Sequence, residues 1–227
     1  MKITYYGQSC VLFDFDGHQV LLDPFVTYNP IAEHVDVNAL NPEYIFVSHA
    51  HQDHVADLLT VQKNSNAIVA TVVETAAWIR KQGVPDDKVV EFNLGGTIET
   101  TFGKVKMVIA IHTNSTPDGA YGGWPVGYVF FAGDKKIYFA GDTALTYDMK
   151  LLEDLQLDWA FLPIGGHYTM DVEDAVKAAQ FINCKHIVGI HYNTFPPITI
   201  DVEVAKRKFN DAGLQLSLPG IGETISL

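Results

Sequence analysis

The chain is short of positive charge. Against 27 Asp and Glu it carries only 15 Lys and Arg, a formal net charge of −12. That balance excludes a broad basic face for non-specific contact with nucleic acid. It leaves room for a local anion site, because bound dications would create a positive centre inside an acidic protein. Cysteine is scarcer still. Cys10 and Cys184 are the only two, too few for a disulfide framework, and both lie in apolar surroundings, as expected of buried thiols in a cytoplasmic protein. No run approaches the roughly 20 apolar residues of a membrane span. Met1-Lys2-Ile3-Thr4-Tyr5-Tyr6 reads as a strand rather than a signal peptide. Low-complexity segments and long linkers are missing as well. With 227 residues, 48% of them hydrophobic, the length suits one large domain, taken as 1–227, or two small ones.

Histidine is concentrated in one place. Ser48-His49-Ala50-His51-Gln52-Asp53-His54 puts three imidazoles and a carboxylate within six residues, in the pattern H-x-H-x-D-H. Imidazole nitrogen and carboxylate oxygen are the ligands of borderline divalent metals such as zinc. Four of them on one turn exceed the three protein ligands of an ordinary open catalytic site, which points to two metals sharing a loop. The bland alternative is a solvated polar turn that happens to be rich in histidine. The flanks favour a built site. Tyr44-Ile45-Phe46-Val47 is a short apolar run with β-branched and aromatic members, the signature of a buried strand. After the cluster, Val55, Leu58, Leu59 and Gln62 begin a helical period, so a helix is expected over about 53–63. Sites in layered α/β folds are built where a strand ends and a helix begins.

The two halves of the chain echo each other. Val11 to Phe15, an Asp16-Gly17 turn and Val20 to Asp23 read as a hairpin ending in aspartate. Tyr128 to Phe131, a turn through Gly133-Asp134 and Ile137 to Asp142 read the same way. Tyr44 to Val47 before the histidine loop parallels Trp159 to Leu162 before Pro163-Ile164-Gly165-Gly166-His167. Helices are expected at about 171–183, 73–82 and 201–211, the last stopped by Gly213. Strands are expected at Ala67–Ala70, 88–92, 97–101, 104–111 and His186–Ile190. Two such βα halves imply two packed sheets with helices outside, against the alternative of chance similarity between hydrophobic strands.

Three more candidate ligands stand at strand ends. His112 follows Val105 to Ile111, Asp142 follows Ile137 to Gly141, and His191 follows Ile187 to Ile190. Singly, each has an ordinary reading: a hydrogen-bonded structural histidine, or an aspartate in a turn or helix cap. Together, beside the H-x-H-x-D-H loop, they form a pattern.

At these residues the chain resembles the metallo-β-lactamase superfamily. The resemblance spans nearly the whole length. It rests on Asp23 in Leu21-Leu22-Asp23-Pro24, on Ser48 to His54, on His112, on Gly141-Asp142-Thr143 and on His191. Pro163 to Asp171 and His191-Tyr192-Asn193-Thr194 look closest to small stand-alone metal-dependent hydrolases of the ascorbate-phosphate lactonase-like and N-acylphosphatidylethanolamine phospholipase-D-like branch. The resemblance implies an α/β four-layer αββα sandwich of two pseudo-repeated halves. It implies His49, His51 and His112 on a first metal, Asp53, His54 and His191 on a second, and Asp142 bridging them. Asp23 is expected behind the histidine loop, fixing it by hydrogen bonds.

The implied activity is that of a binuclear metal-dependent hydrolase, with a metal-bridging hydroxide attacking a small phosphodiester, lactone or ester. Asp53 and Asp142 would orient the nucleophile. His167, after its two glycines, would serve as electrophile or general acid, or else support a ligand. Zinc is the first expectation for the two divalent ions, with manganese, iron, nickel and cobalt open as alternatives. The loops after Asp23, His112 and His191 should form the rim, with Tyr28, Tyr121, Trp124 and Phe195 facing an apolar or ring-containing substrate, or simply packing on one another. His34 lies in a loop that reaches toward the mouth. Few Lys or Arg fall in these loops, which disfavours a polyanion. A small-molecule substrate is the expected partner, and a homo-oligomer is compatible with apolar rim loops. The alternatives are a nuclease of the same fold, which usually carries an added clamp, a diiron reductase, which usually has Glu where His51 stands, and a metal-binding scaffold without hydrolytic activity.

Overall fold

The computed structural model describes residues 1–227. Two seven-stranded sheets pack face to face. The first holds β1 (Lys2–Tyr5), β2 (Val11–Phe15), β3 (His18–Leu22), β4 (Tyr44–Phe46), β5 (Ile68–Val72) and β6 (Val89–Phe92). The second holds β7 (Thr97–Thr100), β8 (Gly103–Ile109), β9 (Val126–Ala132), β10 (Lys135–Phe139), β11 (Trp159–Pro163), β12 (His186–Ile190) and β13 (Gln215–Ser217). The last strand, β14 (Thr224–Ser226), returns to the first sheet beside β1. Helices α1 (Gln52–Val55), α2 (Leu58–Ser65) and α3 (Val73–Lys81) belong to the first half, and α4 (Val172–Phe181) and α5 (Val202–Asp211) to the second.

Side-chain alternation builds the layers. In β2, Val11, Phe13 and Phe15 are buried while Leu12 and Asp14 are half-buried, the period of two expected of a strand with unequal faces. Phe13 meets Phe130 and Phe161 of the other sheet at ring-centroid distances of 5.5 and 4.9 Å. Phe46 meets Tyr128 at 5.1 Å. These aromatic contacts join the sheets, each large side chain contributing roughly 1.5–3 kcal/mol by burial. On the outer face of the first sheet Leu21, Ile45 and Val69 pack with Leu58 and Val61 of α2 and Ala76 and Ile79 of α3. Asp171 and Asp201 cap α4 and α5 by accepting backbone N–H bonds, worth about 1 kcal/mol each. No helix is long and apolar enough to cross a membrane.

The pseudo-repeat is explicit in the ladders. In the first half β2 and β3 pair antiparallel, and β3 to β6 continue in parallel. In the second, β9 and β10 pair antiparallel, and β10 to β13 continue in parallel. Even the flanks correspond, since β14 lies antiparallel on β1 as β7 does on β8. The layers are therefore those of the αββα sandwich.

Several boundaries differ from the sequence reading. The helix expected at 53–63 is broken into α1 and α2. Asp57, at the break, turns its carboxylate to the 23–28 loop, accepting the N–H groups of Val26 and Thr27 at 2.6 and 2.8 Å. The strand expected at 104–111 stops at Ile109, and Ala110 and Ile111 leave the ladder before His112. The 3₁₀ turn Tyr147–Leu155, β13 and β14 had no strong periodic signal.

Candidate metal centre

The strands deliver their ends to one edge. β4 leads into Ser48 to His54, β3 into Asp23, β8 toward His112, β10 into Asp142 and β12 into His191. Two groups of facing ligand atoms result: His49, His51 and His112 in one, and Asp53, His54, Asp142 and His191 in the other. All seven residues expected as ligands from sequence are thus brought together.

Asp142 stands at the centre. Its Oδ2 lies 3.1 Å from His191 Nε2, 3.4 Å from His54 Nε2, 3.7 Å from His112 Nε2 and 4.0 Å from His49 Nε2. One carboxylate oxygen therefore faces imidazole nitrogens of both groups. Asp53 Oδ2 lies 3.4 Å from His54 Nε2 and 3.7 Å from His191 Nε2. His49 Nε2 and His51 Nδ1 confront each other at 3.0 Å.

Buried partners fix the rings. Asp23, wholly buried, accepts the Ser48 N–H at 2.7 Å, the Ser48 hydroxyl at 2.6 Å and the His54 Nδ1–H at 2.8 Å. With Nδ1 donating, His54 Nε2 is left as the ligand nitrogen. That nitrogen is buried without a hydrogen-bond partner, an arrangement that fits a cation and would otherwise cost free energy. Gly141, next to Asp142, has φ +62, and a Cβ there would sit 2.9 Å from both Ser48 Cβ and Val126 O. Only glycine lets the Asp142 turn approach the histidine loop so closely.

Comparison with known proteins places the chain in a family. A family model described as the β-lactamase superfamily domain matches residues 18–192. The chain belongs to the metallo-β-lactamase superfamily. It is 47% identical to a UPF0173 metal-dependent hydrolase of Flavobacterium johnsoniae, over 100% of both chains. It is 42% identical to a metal-dependent hydrolase of Thermus thermophilus, over 100% of this chain and 99% of that one. Among solved structures it is similar to Igni18, a metallo hydrolase from the archaeon Ignicoccus hospitalis, with a TM-score of 0.88, 31% identity, and coverage of 99% of this chain and 97% of that one. The protein is a metal-dependent hydrolase of this superfamily.

The electrostatics of the hydrolase centre are uneven. Burial holds the His49 ring well below the ordinary imidazole range, and His54 adds to the effect; burial likewise lowers His51 and His112. In the other group burial is outweighed. Asp142, Asp53 and Asp23 push His54 up, and Asp142 and Asp53 push His191 up to about 9. Burial alone would raise Asp53 and Asp142, but the facing rings hold both carboxyls far down. The first group's rings are therefore biased toward the neutral, ligating form, whereas the facing carboxylates bias His54 and His191 toward the protonated form, against which a metal would compete.

The sequence reading passed over Gln8 and Ser9. Gln8 donates from Nε2 to Asp53 Oδ2 at 2.8 Å, and Ser9 Oγ lies 3.5 Å from Asp142 Oδ1. Gln8 is left-handed, φ +53, a cost offset by two bonds to its carbonyl oxygen, from Tyr5 OH at 3.1 Å and the His191 N–H at 2.7 Å. The polar pair after Gly7, inside an apolar strand–turn–strand run, was the available signal. Cys10 is buried, its thiol pushed up to about 12 by burial, so it is inert.

A pocket of about 710 Å³ opens onto the centre, lined by His51, Asp53, His112, Asp142 and His191 among the candidate ligands and by Phe25, Tyr28, Tyr168 and Phe195 among the aromatics. Tyr121 and Trp124, expected on this rim, lie outside the wall. Their loop is clipped to the histidine loop instead, through Asn114, which accepts the Ala50 N–H and donates to Gly122 O. His34 faces Ile221 O at 3.3 Å rather than the mouth. His167 is exposed, and the wall residue of its turn is Tyr168. Gly166 and His167 are both left-handed, φ +66 and +56, and the imidazole packs on the Tyr168 ring at 4.4 Å.

Proposed function

We propose that the protein is a binuclear hydrolase of small phosphodiesters, lactones or esters. The observation that carries this reading is Asp142 Oδ2, set within 4.0 Å of imidazole nitrogens from both ligand groups. In this reading His49, His51 and His112 hold one divalent ion, Asp53, His54 and His191 hold the other, and Asp142 bridges. The donor set suits zinc and admits manganese, iron, nickel or cobalt. Such ions, once bound, supply Lewis acidity and lower the pKa of a water toward neutrality.

The chain's own residues do the rest. Asp23 and Ser48 hold the histidine loop in place, and Gln8 holds Asp53. Asp53 Oδ1 is left to orient an attacking water, since its Oδ2 faces the ligand rings and Gln8. The aromatic wall gives the polar centre an apolar border. His167 packs on Tyr168, which lines the pocket, and in this reading it supports that wall residue.

The test is metal content by elemental mass spectrometry with Asp142→Ala beside the unmodified protein. About two metals per chain falling below one in the variant is expected. Full occupancy in the variant would show that Asp142 does not bridge.

A further inference from the structure

Every connection that reaches the metal edge lacks lysine and arginine. This holds for residues 6–10, 23–43, 47–51, 110–125, 140–146, 164–171 and 191–201, although the chain has 15 such residues. The cations sit on outer elements, such as Lys104 and Lys106 of β8 and Lys206-Arg207-Lys208 of α5. The same connections carry exposed carboxylates, among them Glu33, Asp118 and Asp171. Apart from ions held by the ligand groups, nothing at the mouth can balance a negative charge on a substrate, and the surrounding field is of the wrong sign to attract one.

The wall is instead apolar and aromatic. Phe25 and Phe195 approach with ring centroids 6.2 Å apart. Tyr28 and Tyr168 also line the pocket, yet are 69% and 55% exposed. Large aromatics left this open around a polar centre are available to cover a ligand. The 23–28 segment that carries Phe25 and Tyr28 is also fixed in place, because Asp57 accepts two of its backbone N–H groups.

Resting on the hydrolase reading above, we propose that the pocket takes an uncharged acyl substrate, a carboxylic ester or lactone bearing an apolar ring or branched group, and discriminates against negative charge away from the bond that breaks. The oxygen of water joins the acyl carbon, the acyl C–O bond breaks, and a proton from that water passes to the departing alkoxide, giving a carboxylic acid and an alcohol. A nucleic acid or a phosphorylated metabolite would bring charges for which the edge holds no partner.

Metal-loaded protein should be assayed on 4-nitrophenyl butyrate and 4-nitrophenyl hemisuccinate, which differ chiefly by a terminal carboxylate, and on bis(4-nitrophenyl) phosphate. The butyrate is expected to win by about tenfold or more in kcat/KM over each, the scale on which a pocket rejects an unpartnered polar group. Tyr28→Arg, a change at an exposed position, should raise kcat/KM for the hemisuccinate by about tenfold and leave the butyrate ahead by little or nothing. Dissociation constants of phenylacetamide and its para-carboxylate, measured by ligand-observed NMR, should show the same preference without turnover. A hemisuccinate or phosphodiester equal to the butyrate overturns the substrate class while leaving a hydrolase. No turnover of any of the three at full metal content overturns the reading as a hydrolase of small esters and phosphodiesters.

Discussion

Replacing Gln8 by Met keeps the side-chain length and removes the amide. The Nε2 bond to Asp53 Oδ2, 2.8 Å long, is lost. A hydrogen bond to a charged group contributes about 1.5–3 kcal/mol. The same substitution deletes Gln8 Oε1, which is buried without a partner and costs a comparable amount. The two effects oppose each other in the metal-free fold, so its stability should change by no more than about 1 kcal/mol. The backbone carbonyl of Gln8 keeps its bonds from Tyr5 and His191. Metal affinity has no such compensation. Asp53 is free to swing, and loss of a partner behind a ligand typically weakens binding 10–100-fold, about 1.4–2.7 kcal/mol. Only the group containing Asp53 should respond. Titration of chelator-stripped protein with cobalt, followed by absorbance and by competition with a chromophoric chelator, separates the two binding steps. One step weakened 10–100-fold, with the other unchanged within about twofold, is expected. Equal loss in both steps, or none in either, refutes the assignment of Gln8 to Asp53.

The metal-free protein should lose stability as pH rises from about 7 to 10. His54 and His191 have raised folded-state pKa values, so their contribution is complete below the unfolded imidazole value of about 6.5 and is lost as pH passes through about 9 for His191. Asp53 and Asp142 are lowered, so their contribution is present above about pH 3.9 and lost as the pH falls below it. Thermal melts of chelated protein across this range check both signs, and a melting temperature that climbs toward pH 10 contradicts the first. Gly141→Ala should cost about 2–4 kcal/mol, from a left-handed backbone and two 2.9 Å clashes, measured by urea unfolding; a loss below about 1 kcal/mol shows that the turn relaxes. His167→Gln should retain its metals and lose less kcat/KM than Tyr168→Ala, because only Tyr168 lines the pocket. The reverse order in steady-state assays restores the imidazole to the reaction.

Much of the fold was legible because it follows local rules. Alternation in Val11 to Phe15 marked a strand with one buried face, and Gly213 marked the end of the last helix. The candidate ligands were legible because metal chemistry demands particular atoms, and H-x-H-x-D-H, His112, Asp142 and His191 supply them from segments that the fold gathers at one edge. The split between α1 and α2 was not legible. Asp57 there serves a loop 30 residues away along the chain, accepting the Thr27 N–H, and no local period encodes such a contact. The β13 and β14 segments are three residues each, too short for a period to show, and become strands only through the neighbours they pair with.

The sequence by itself determined the composition of the centre: five histidines and two aspartates as candidate ligands, and no cation on the loops around them. These are matters of residue type and order, readable one position at a time. Tertiary structure decided which groups line the pocket. It put Tyr168 in the wall and left its neighbour His167 exposed. It carried Tyr121 and Trp124 away with a loop clipped by Asn114. It brought Gln8 from the first connection of the chain to Asp53. Each outcome depends on backbone dihedrals and on hydrogen bonds between segments far apart in sequence, and those exist only once the two sheets have packed.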